Sequence, residues 1–258
     1  MLIDSHCHLD ADEFADDRDA VHAAALAGGV ERMLVPAVAV GNFSAVRDCV
    51  LCYPGCVAAY GIHPLYVNNA QESDLAVLRQ WLAAERPVAV GEIGLDHYVA
   101  DVDPQRQEFF FVEQLKLARE FGLPVVVHAR RAIDAVLKQL RRIRVPGGIA
   151  HAFNGSRQQA DEFIKLGFVL GFGGAMTFSG STHIRHLAAT LPDSAIALET
   201  DAPDIPPAWL GGARNQPAEL PRIAAVLAGL RGVSVAAVAT MTAENIRRVV
   251  PGMNSSAG

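Results

Sequence analysis

Short apolar runs alternate with longer amphipathic stretches along this chain. Each run is rich in Val, Ile, Leu and Ala, ends near Gly, Pro, Asp or Ser, and precedes a stretch with apolar residues at three- and four-residue steps. The alternation predicts parallel strands joined by right-handed helical crossovers. Eight strands are predicted, at residues 2–5, 32–36, 57–61, 88–91, 124–127, 148–150, 168–171 and 195–198.

The same pattern predicts the intervening helices and the fold. Helical spacing covers residues 74–85, 104–121, 131–144, 156–166 and 217–230. Pro104 suits a first helical turn, and Gly122 supplies a natural stop. Eight strand and helix units in 258 residues fit an α/β fold of the closed (β/α)8 TIM-barrel type better than an open doubly wound sheet.

The chain carries no linker or low-complexity break that would divide it. We therefore expect one domain over residues 1–252, followed by a frayed tail at 253–258, where Asn254-Ser255-Ser256-Ala257-Gly258 lacks apolar residues to offset its ordering entropy. The N-terminus has no basic stretch followed by an apolar core, and no apolar run reaches membrane-spanning length. A cytoplasmic monomer with no membrane contact and no obligate protein partner is expected.

Charge and cysteine content exclude two further classes. The formal charge of −6 argues against a protein that coats nucleic acid by sequence-independent phosphate neutralisation, although an enzyme could still grip one phosphate. Cys7, Cys49, Cys52 and Cys56 are even in number, but the size of the chain and the absence of an export signal favour reduced, mostly buried thiols. A structural zinc at the last three is disfavoured because no fourth ligand is evident beside them.

Metal-capable side chains follow the predicted strands. Because the carboxyl ends of barrel strands converge on one mouth, groups from five strands are expected to meet there. His6 and His8 are two residues apart, a spacing that presents both imidazoles on the same side of an extended chain. Imidazole and carboxylate suit zinc, manganese and similar cations, and a lone carboxylate can bridge two of them. The predicted ligands are His6, His8, Glu92, His128, His151 and Asp201.

The motifs around these residues resemble a known family from Asp4 to about Asn245. The chain is similar to TatD-type metal-dependent hydrolases of the amidohydrolase superfamily, whose characterised nucleases are commonly magnesium-dependent 3′ exonucleases acting on DNA. The matching segments are Asp4-Ser5-His6-Cys7-His8, Gly61-Ile62-His63-Pro64, Gly91-Glu92-Ile93-Gly94-Leu95-Asp96, His128-Ala129-Arg130, His151-Ala152-Phe153-Asn154-Gly155-Ser156 and Glu199-Thr200-Asp201-Ala202-Pro203.

The resemblance implies a pair of divalent cations, Mg, Mn or Zn, bridged by Glu92. One cation would be held by His6, His8 and Asp201, and the other by His128 and His151. A glutamate at the bridging position, where the superfamily often has a modified lysine, favours the nuclease branch. Asp201 and Glu92 are therefore the predicted catalytic residues, with Asp201 orienting or deprotonating the attacking water.

Further residues near the predicted mouth are candidates for substrate binding. His63 and Arg130 could contact phosphate, with a structural hydrogen bond or a salt bridge as the alternative, and Arg214 could hold flanking charge. His97 extends the Glu92 loop toward the mouth. The glycines at 171–174 lack the spacing of a dinucleotide fingerprint, so either phosphate approach or close packing would explain them.

Three functions remain open at this level. The first is a phosphodiesterase acting on DNA 3′ ends. The second is a carboxyl-ester or amide hydrolase, such as an aminoacyl-tRNA deacylase, because the fold does not fix the substrate. The third is a non-catalytic binding barrel, which the intact set of ligands disfavours.

Overall fold

The eight predicted strands are all present and pair in parallel, in chain order, in the computed structural model, which describes residues 1–254. A hydrogen bond from the Ser5 N–H to the Leu198 carbonyl, at 3.0 Å, links the first strand to the last and nearly closes the barrel. The strands are β1 Leu2–Asp4, β2 Val30–Pro36, β3 Cys56–Tyr60, β4 Ala89–Asp96, β5 Val125–Arg130, β6 Gly148–Ala150, β7 Phe168–Phe172 and β8 Ile196–Leu198.

Helices surround this sheet, as the alternation predicted. In the described residues the α-helices are α1 Arg18–Ala27, α2 Phe43–Cys52, α3 Asp74–Glu85, α4 Pro104–Phe121, α5 Ile133–Arg142, α6 Arg157–Lys165, α7 Thr182–Thr190, α8 Leu220–Arg231 and α9 Val235–Val249. Helix α4 shows why local sequence signals were sufficient to predict where a helix begins and ends. The Asp103 carboxylate accepts from the first free N–H groups, Pro104 occupies the first turn, and Gly122 ends the helix at φ 65°.

Two strands run further toward the barrel mouth than the sequence predicted. β4 was predicted to end at Gly91 and β5 at Val127, yet they stay paired out to Asp96 and Arg130. Polar residues there interrupt the apolar pattern, so periodicity alone could not follow the strands. The extension matters because it places Glu92, Asp96 and His128 on regular backbone.

The barrel interior is an apolar layer that receives one side chain from each strand. Helix α9, which was not predicted, closes its lower end through Ile246 and Val249, and Met253 packs in the same cluster. The interior residues are Ile3, Leu34, Ala59, Ala89, Val126, Ile149, Val169 and Ala197. With the lower end filled, the mouth at the carboxyl ends of the strands is the open face of the barrel.

The predicted tail begins inside an ordered turn. Pro251–Asn254 forms a short 3-10 helix, and Met253 is buried because it fills the lower end of the barrel. The order therefore extends past residue 252, and the rest of the predicted tail, residues 255–258, lies outside the described residues.

The cysteines are as the sequence predicted. Cys7, Cys49 and Cys56 are buried, Cys52 is exposed, and all four thiols are free.

No single helix among residues 1–254 is long and apolar enough to cross a membrane. Two consecutive helical segments, Pro217–Arg231 and Val235–Val249, reach that length and apolar composition only when they are taken together, and they are bent at 104° to each other.

Candidate metal centre

A layer of polar side chains from the same strands lies above the apolar interior of the barrel. Residues two apart on a strand face the same way, so the position two residues after each interior residue also points into the barrel. His128 follows Val126 by two residues on β5, and His151 follows Ile149 by two residues at the end of β6. Both imidazoles therefore lie over the apolar layer.

His6 and His8 converge just beyond β1. Their Nε2 atoms are 3.2 Å apart, and His6 Nε2 lies 3.4 Å from the Asp201 Oδ1 atom. The backbone brings Asp201 there, because its N–H donates to the His6 carbonyl at 2.8 Å. Two candidate ligands that follow β1 and one that follows β8 thus lie next to one another.

Glu92 lies at the centre of the group and is almost fully buried. Its Oε2 atom faces the pair of histidines after β1, and its Oε1 atom faces those on the other side of the barrel. Oε2 is 3.2 Å from His6 Nε2, and Oε1 is 3.0 Å from His128 Nδ1, 3.4 Å from His63 Nε2 and 3.6 Å from His151 Nε2. One carboxylate oxygen for each side is the arrangement that a bridging ligand needs.

The spacing of these atoms fits divalent cations. Bonds of about 2.1 Å in a tetrahedral shell place neighbouring ligand atoms about 3.4 Å apart, and the nitrogen and oxygen atoms of His6, His8 and Asp201 lie 3.2–3.9 Å from one another. The groups whose atoms could hold an ion are His6, His8 and Asp201; His6, Glu92 and His151; and His63, Glu92 and His128.

The electrostatics of the site also favour bound positive charge. Burial alone would raise the pKa of Glu92, but the imidazoles of His63, His6 and His151 hold it well below its usual range. Burial would likewise lower the pKa of His151, yet Asp201, Glu199 and Glu92 raise it to about 10. The carboxylates therefore attract either protons or metal ions to the same nitrogens.

Asp96 is a site residue that the sequence reasoning did not single out. Its Oδ2 atom lies 2.9 Å from His128 Nε2, and its Oδ1 atom accepts from the Tyr98 and Val99 N–H groups. The Gln107 side chain accepts a hydrogen bond from the Asp96 N–H and donates one to the Asp96 carbonyl. Since an ionised carboxylate only accepts, Asp96 holds a proton on His128 Nε2. Burial alone would lower the pKa of His128, but its contacts with Asp96 and with Glu92 raise it, so a cation bound at Nδ1 would take the place of a proton there. The signal was present, because Glu92 and Asp96 lie an even number of residues apart on one strand.

Glu199 is the second such residue. It follows the interior residue Ala197 by two positions, and its Oε1 atom accepts from the Ala152 N–H at 2.6 Å and lies 3.3 Å from His151 Nδ1. A Cβ atom on Gly171 would come within 2.0 Å of Glu199 Oε2, and one on Gly173 within 2.8 Å of the Glu199 carbonyl. Close packing therefore explains Gly171, in β7, and Gly173, directly after this strand.

Backbone contacts fix the tautomers of two other histidines. His8 Nδ1 lies 3.2 Å from the Pro36 carbonyl, which can only accept, so the lone pair of His8 is on Nε2, toward Asp201. His63 is the reverse case. Its Nδ1 atom accepts from the Leu65 N–H at 3.2 Å, which places the proton on Nε2, facing Glu92. In this tautomer His63 is a hydrogen-bond donor rather than a metal ligand.

The predicted substrate residues fall in different places. His63, His97 and Arg130 line the cavity at the mouth. Arg214 does not, because its guanidinium forms a bidentate ion pair with Asp17 and lies over the Phe14 ring. These contacts span almost the whole chain in sequence, so local patterns could not have foreseen them.

Strained backbone is concentrated at this mouth. Of the five non-glycine residues with left-handed φ in residues 1–254, four follow β5, β6 or β8: Arg131, Ala152, Asp201 and Ile205. Such conformations persist where the surrounding structure enforces them, and they cluster at functional sites. The cavity above has a volume of about 1560 Å³, beyond the roughly 300–1,000 Å³ of ordinary small-molecule pockets.

A (β/α)8 barrel whose mouth gathers imidazoles and carboxylates around one buried glutamate defines a metal-dependent hydrolase. The chain belongs to the TatD-related DNase family, whose sequence profile matches residues 3–251. The predicted resemblance is thereby confirmed.

Individual relatives agree over nearly the whole chain. The uncharacterized metal-dependent hydrolase YjjV of Escherichia coli strain K12 is 40% identical over 234 residues, which are 89% of this chain and 90% of YjjV. The crystal structure of YjjV, a TatD homologue, superposes with a TM-score of 0.93 at 37% identity and covers 97% of this chain and 98% of its own. The 3′-5′ ssDNA/RNA exonuclease TatD of Klebsiella pneumoniae strain 342 is 34% identical over 95% of this chain and 96% of its own length.

Proposed function

We propose that this protein is a phosphodiesterase that removes nucleotides from the 3′ end of single-stranded DNA by metal-assisted attack of water. The family and the relative named as a 3′-5′ exonuclease support this substrate class. The cytoplasmic location and the monomeric state expected from the sequence remain predictions.

The observation that carries the proposal is the position of Arg130. This arginine lines the same cavity as the metal-competent groups, and no Asp or Glu of residues 1–254 forms an ion pair with it. The salt bridge considered as the alternative role is therefore missing. An exposed guanidinium beside a cation site offers a forked donor to phosphate oxygens, which a neutral carboxyl ester does not need.

Two divalent cations fit the proposal. His6, His8 and Asp201 would hold one, and His128 and His151 the other, with a Glu92 oxygen toward each. Cations bound there would lower the pKa of a water and polarise a phosphoryl oxygen. A ligand set this rich in imidazole suits Zn²⁺ better than Mg²⁺, which prefers oxygen.

Asp201 would serve as the general base. Asp201 lies in the long connection between β8 and α8, and it lines the open cavity, where a water could reach its carboxylate. His6, by contrast, is fully buried. The left-handed backbone at φ 59° directs this residue toward the histidines. A carboxylate in that place can orient an attacking water and accept its proton.

His63 would stabilise the phosphoryl group. Its Nε2–H points into the group of ligands at the level of Glu92, and burial lowers the pKa of the imidazole, so the ring is neutral with the proton held on that nitrogen. A neutral donor aimed at the reacting centre can hydrogen-bond a phosphoryl oxygen as charge develops there.

Substrate specificity is the direct test. Protein demetallated with EDTA and then reconstituted separately with Mg²⁺, Mn²⁺ or Zn²⁺ is offered 5′-labelled single-stranded DNA, duplex DNA, RNA, aminoacyl-tRNA and a simple carboxyl ester. We expect a ladder of DNA products shortened one nucleotide at a time from the 3′ end, and no products without added metal.

The Asp201→Asn variant, purified in parallel, excludes a contaminating nuclease. Cleavage of aminoacyl-tRNA or carboxyl esters with every nucleic acid strand left intact would replace this proposal with the deacylase. Full activity after thorough demetallation would remove the metal-assisted mechanism.

A further inference from the structure

Two arginines meet on one tyrosine ring at the rim of the cavity. Arg130 ends β5 and Arg131 follows it, while Tyr98 lies just beyond β4. The guanidinium carbons lie 3.7 Å (Arg130) and 4.5 Å (Arg131) from the centroid of the Tyr98 ring. The paired ends of β4 and β5 hold the three together, because the His97 N–H donates to the Arg130 carbonyl at 2.8 Å. We call these three residues the arginine–tyrosine cluster.

The cluster concentrates positive charge without neutralising it. Both arginines are exposed, and within residues 1–254 neither forms an ion pair with a carboxylate. Cation–π contact with Tyr98 stabilises each guanidinium but leaves its N–H groups available. Arg131 adopts a left-handed backbone at φ 53°, a strained conformation that turns the chain here. Two unpaired cations held against one ring favour a bound anion at this point of the rim.

The cluster is attached to the metal centre but lies outside it. The Tyr98 N–H donates to Asp96 Oδ1 at 2.8 Å, and the other Asp96 oxygen contacts the ligand His128. On β5, Arg130 comes two residues after His128, about 6.6 Å further along the strand. This offset is comparable to the distance between successive phosphates of a polynucleotide strand, so an anion at the cluster would be the neighbour of the one at the metals.

We propose that the arginine–tyrosine cluster binds a second phosphate of the substrate, the phosphodiester on the 5′ side of the scissile one. This inference rests on the proposed function. The 5′ side follows from the chemistry of a 3′ exonuclease, because the terminal nucleotide that is released ends in a hydroxyl and carries no further phosphate. The cluster would therefore distinguish strands with at least two phosphodiesters from the minimal dinucleotide.

The test compares a dinucleotide with one phosphodiester and a trinucleotide with two. For the wild-type protein we expect a KM for the trinucleotide about tenfold or more below that for the dinucleotide. In the Arg131→Gln variant the KM for the trinucleotide should rise about tenfold or more, the effect of losing charge-assisted hydrogen bonds. Its kcat and the KM for the dinucleotide should stay within about twofold of the wild type, and the dependence of KM on salt should weaken. The Arg130→Gln/Arg131→Gln variant should raise the KM for the trinucleotide by a larger factor than the KM for the dinucleotide.

Substitutions of Tyr98 test the second-phosphate site independently of the arginines. Tyr98→Phe keeps the aromatic face and should behave as the wild type, whereas Tyr98→Leu removes it and should raise the KM for the trinucleotide alone. Arg141→Gln/Arg142→Gln is the matched control, since it removes the same charge from an adjacent pair at the far end of α5. That variant should leave both KM values unchanged, and circular dichroism confirms that every variant is folded.

The outcomes separate this inference from the function on which it rests. Equal effects of the Arg130 and Arg131 substitutions on both substrates, or no effect on either, would overturn the second-phosphate site while nucleotide release stands. Failure of the wild-type protein to cleave any oligonucleotide would overturn the proposed function and this inference with it.

Discussion

His128 Nε2 and Asp96 Oδ2 lie 2.9 Å apart, and this contact decides which nitrogen of the imidazole faces the metal centre. Hydrogen bonds from the Tyr98 and Val99 N–H groups fix the other carboxylate oxygen. Burial alone would raise the pKa of Asp96, but the hydrogen bonds from His128, Tyr98 and Val99 lower it to about 2. Asp96 is therefore an acceptor at every ordinary pH, and the tautomer that it favours in a cation-bound His128 has the proton on Nε2 and leaves Nδ1 facing Glu92 and the cation.

Replacing Asp96 with asparagine should reverse that tautomer. The amide oxygen is required by the two backbone N–H groups, so the amide nitrogen would face His128 Nε2 and donate to it. The imidazole proton would then be on Nδ1, toward Glu92. We expect about a 10- to 100-fold loss of affinity for one cation, the usual cost of losing a partner that orients a ligand, measured by isothermal titration calorimetry alongside kcat/KM. Asp101→Asn, an exposed change of the same kind on the following loop, is the control. Unchanged metal binding in Asp96→Asn would show that Asp96 does not set the tautomer.

Glu92 and Asp201 should respond differently to amide substitution. Glu92→Gln removes the charge between the two sets of ligands and should lower metal occupancy, especially of the more weakly held cation. Asp201→Asn keeps one oxygen for a cation but cannot accept a proton, so much of the metal should stay while kcat falls by roughly 10²- to 10⁴-fold. Metal content and kcat must be measured on one preparation. Near-normal turnover of a fully loaded Asp201→Asn protein would deny Asp201 its role as base.

Gly171 should tolerate no side chain. An alanine Cβ would lie 2.0 Å from Glu199 Oε2, and the displaced carboxylate would lose its hydrogen bond from the Ala152 N–H and its contact with His151. We expect Gly171→Ala to lower the free energy of unfolding by about 1–3 kcal/mol, as overpacking does in a full core, and to reduce kcat/KM. Gly180→Ala, where no atom lies within 4 Å of the added Cβ, is the control. If urea unfolding and kinetics show the two variants to be alike, the packing argument for Gly171 is wrong.

Metal affinity should increase with pH. Burial would lower the pKa of His151, but the surrounding carboxylates raise it to about 10. A cation that binds this imidazole must therefore displace a proton at every pH near neutrality. His6 differs, since burial and the neighbouring His151 lower its pKa and leave it neutral. Affinity should therefore rise by up to about tenfold per pH unit for each proton displaced.

Calorimetry in buffers of different ionisation enthalpy counts those protons. His22→Ala removes a histidine that contacts the Pro54 carbonyl and the Tyr53 ring, away from the site, and should leave the proton count as in the wild type. An affinity that does not change between about pH 6 and pH 8 would show that cation binding displaces no proton.

Much of this protein was determined by patterns that are local in the sequence. Alternating apolar runs gave all eight strands, and helix signals such as Asp103-Pro104 and Gly122 gave the bounds of α4, because propensity and capping act within a few residues. The predicted ligands could be recognised in the same way. Each follows a predicted strand, and in a barrel the carboxyl ends of the strands meet at one mouth whatever the rest of the structure does.

The tertiary structure decided how those groups are used. Asp96 and Glu199 became recognisable as partners of His128 and His151 only when their distances were known, and the contact of Arg214 with Asp17 took a predicted substrate residue away from the site. Hydrogen bonds and cation–π contacts depend on fractions of an ångström between residues far apart in the chain. A sequence pattern specifies which face a side chain occupies, whereas the packing of the whole barrel determines which atoms meet there.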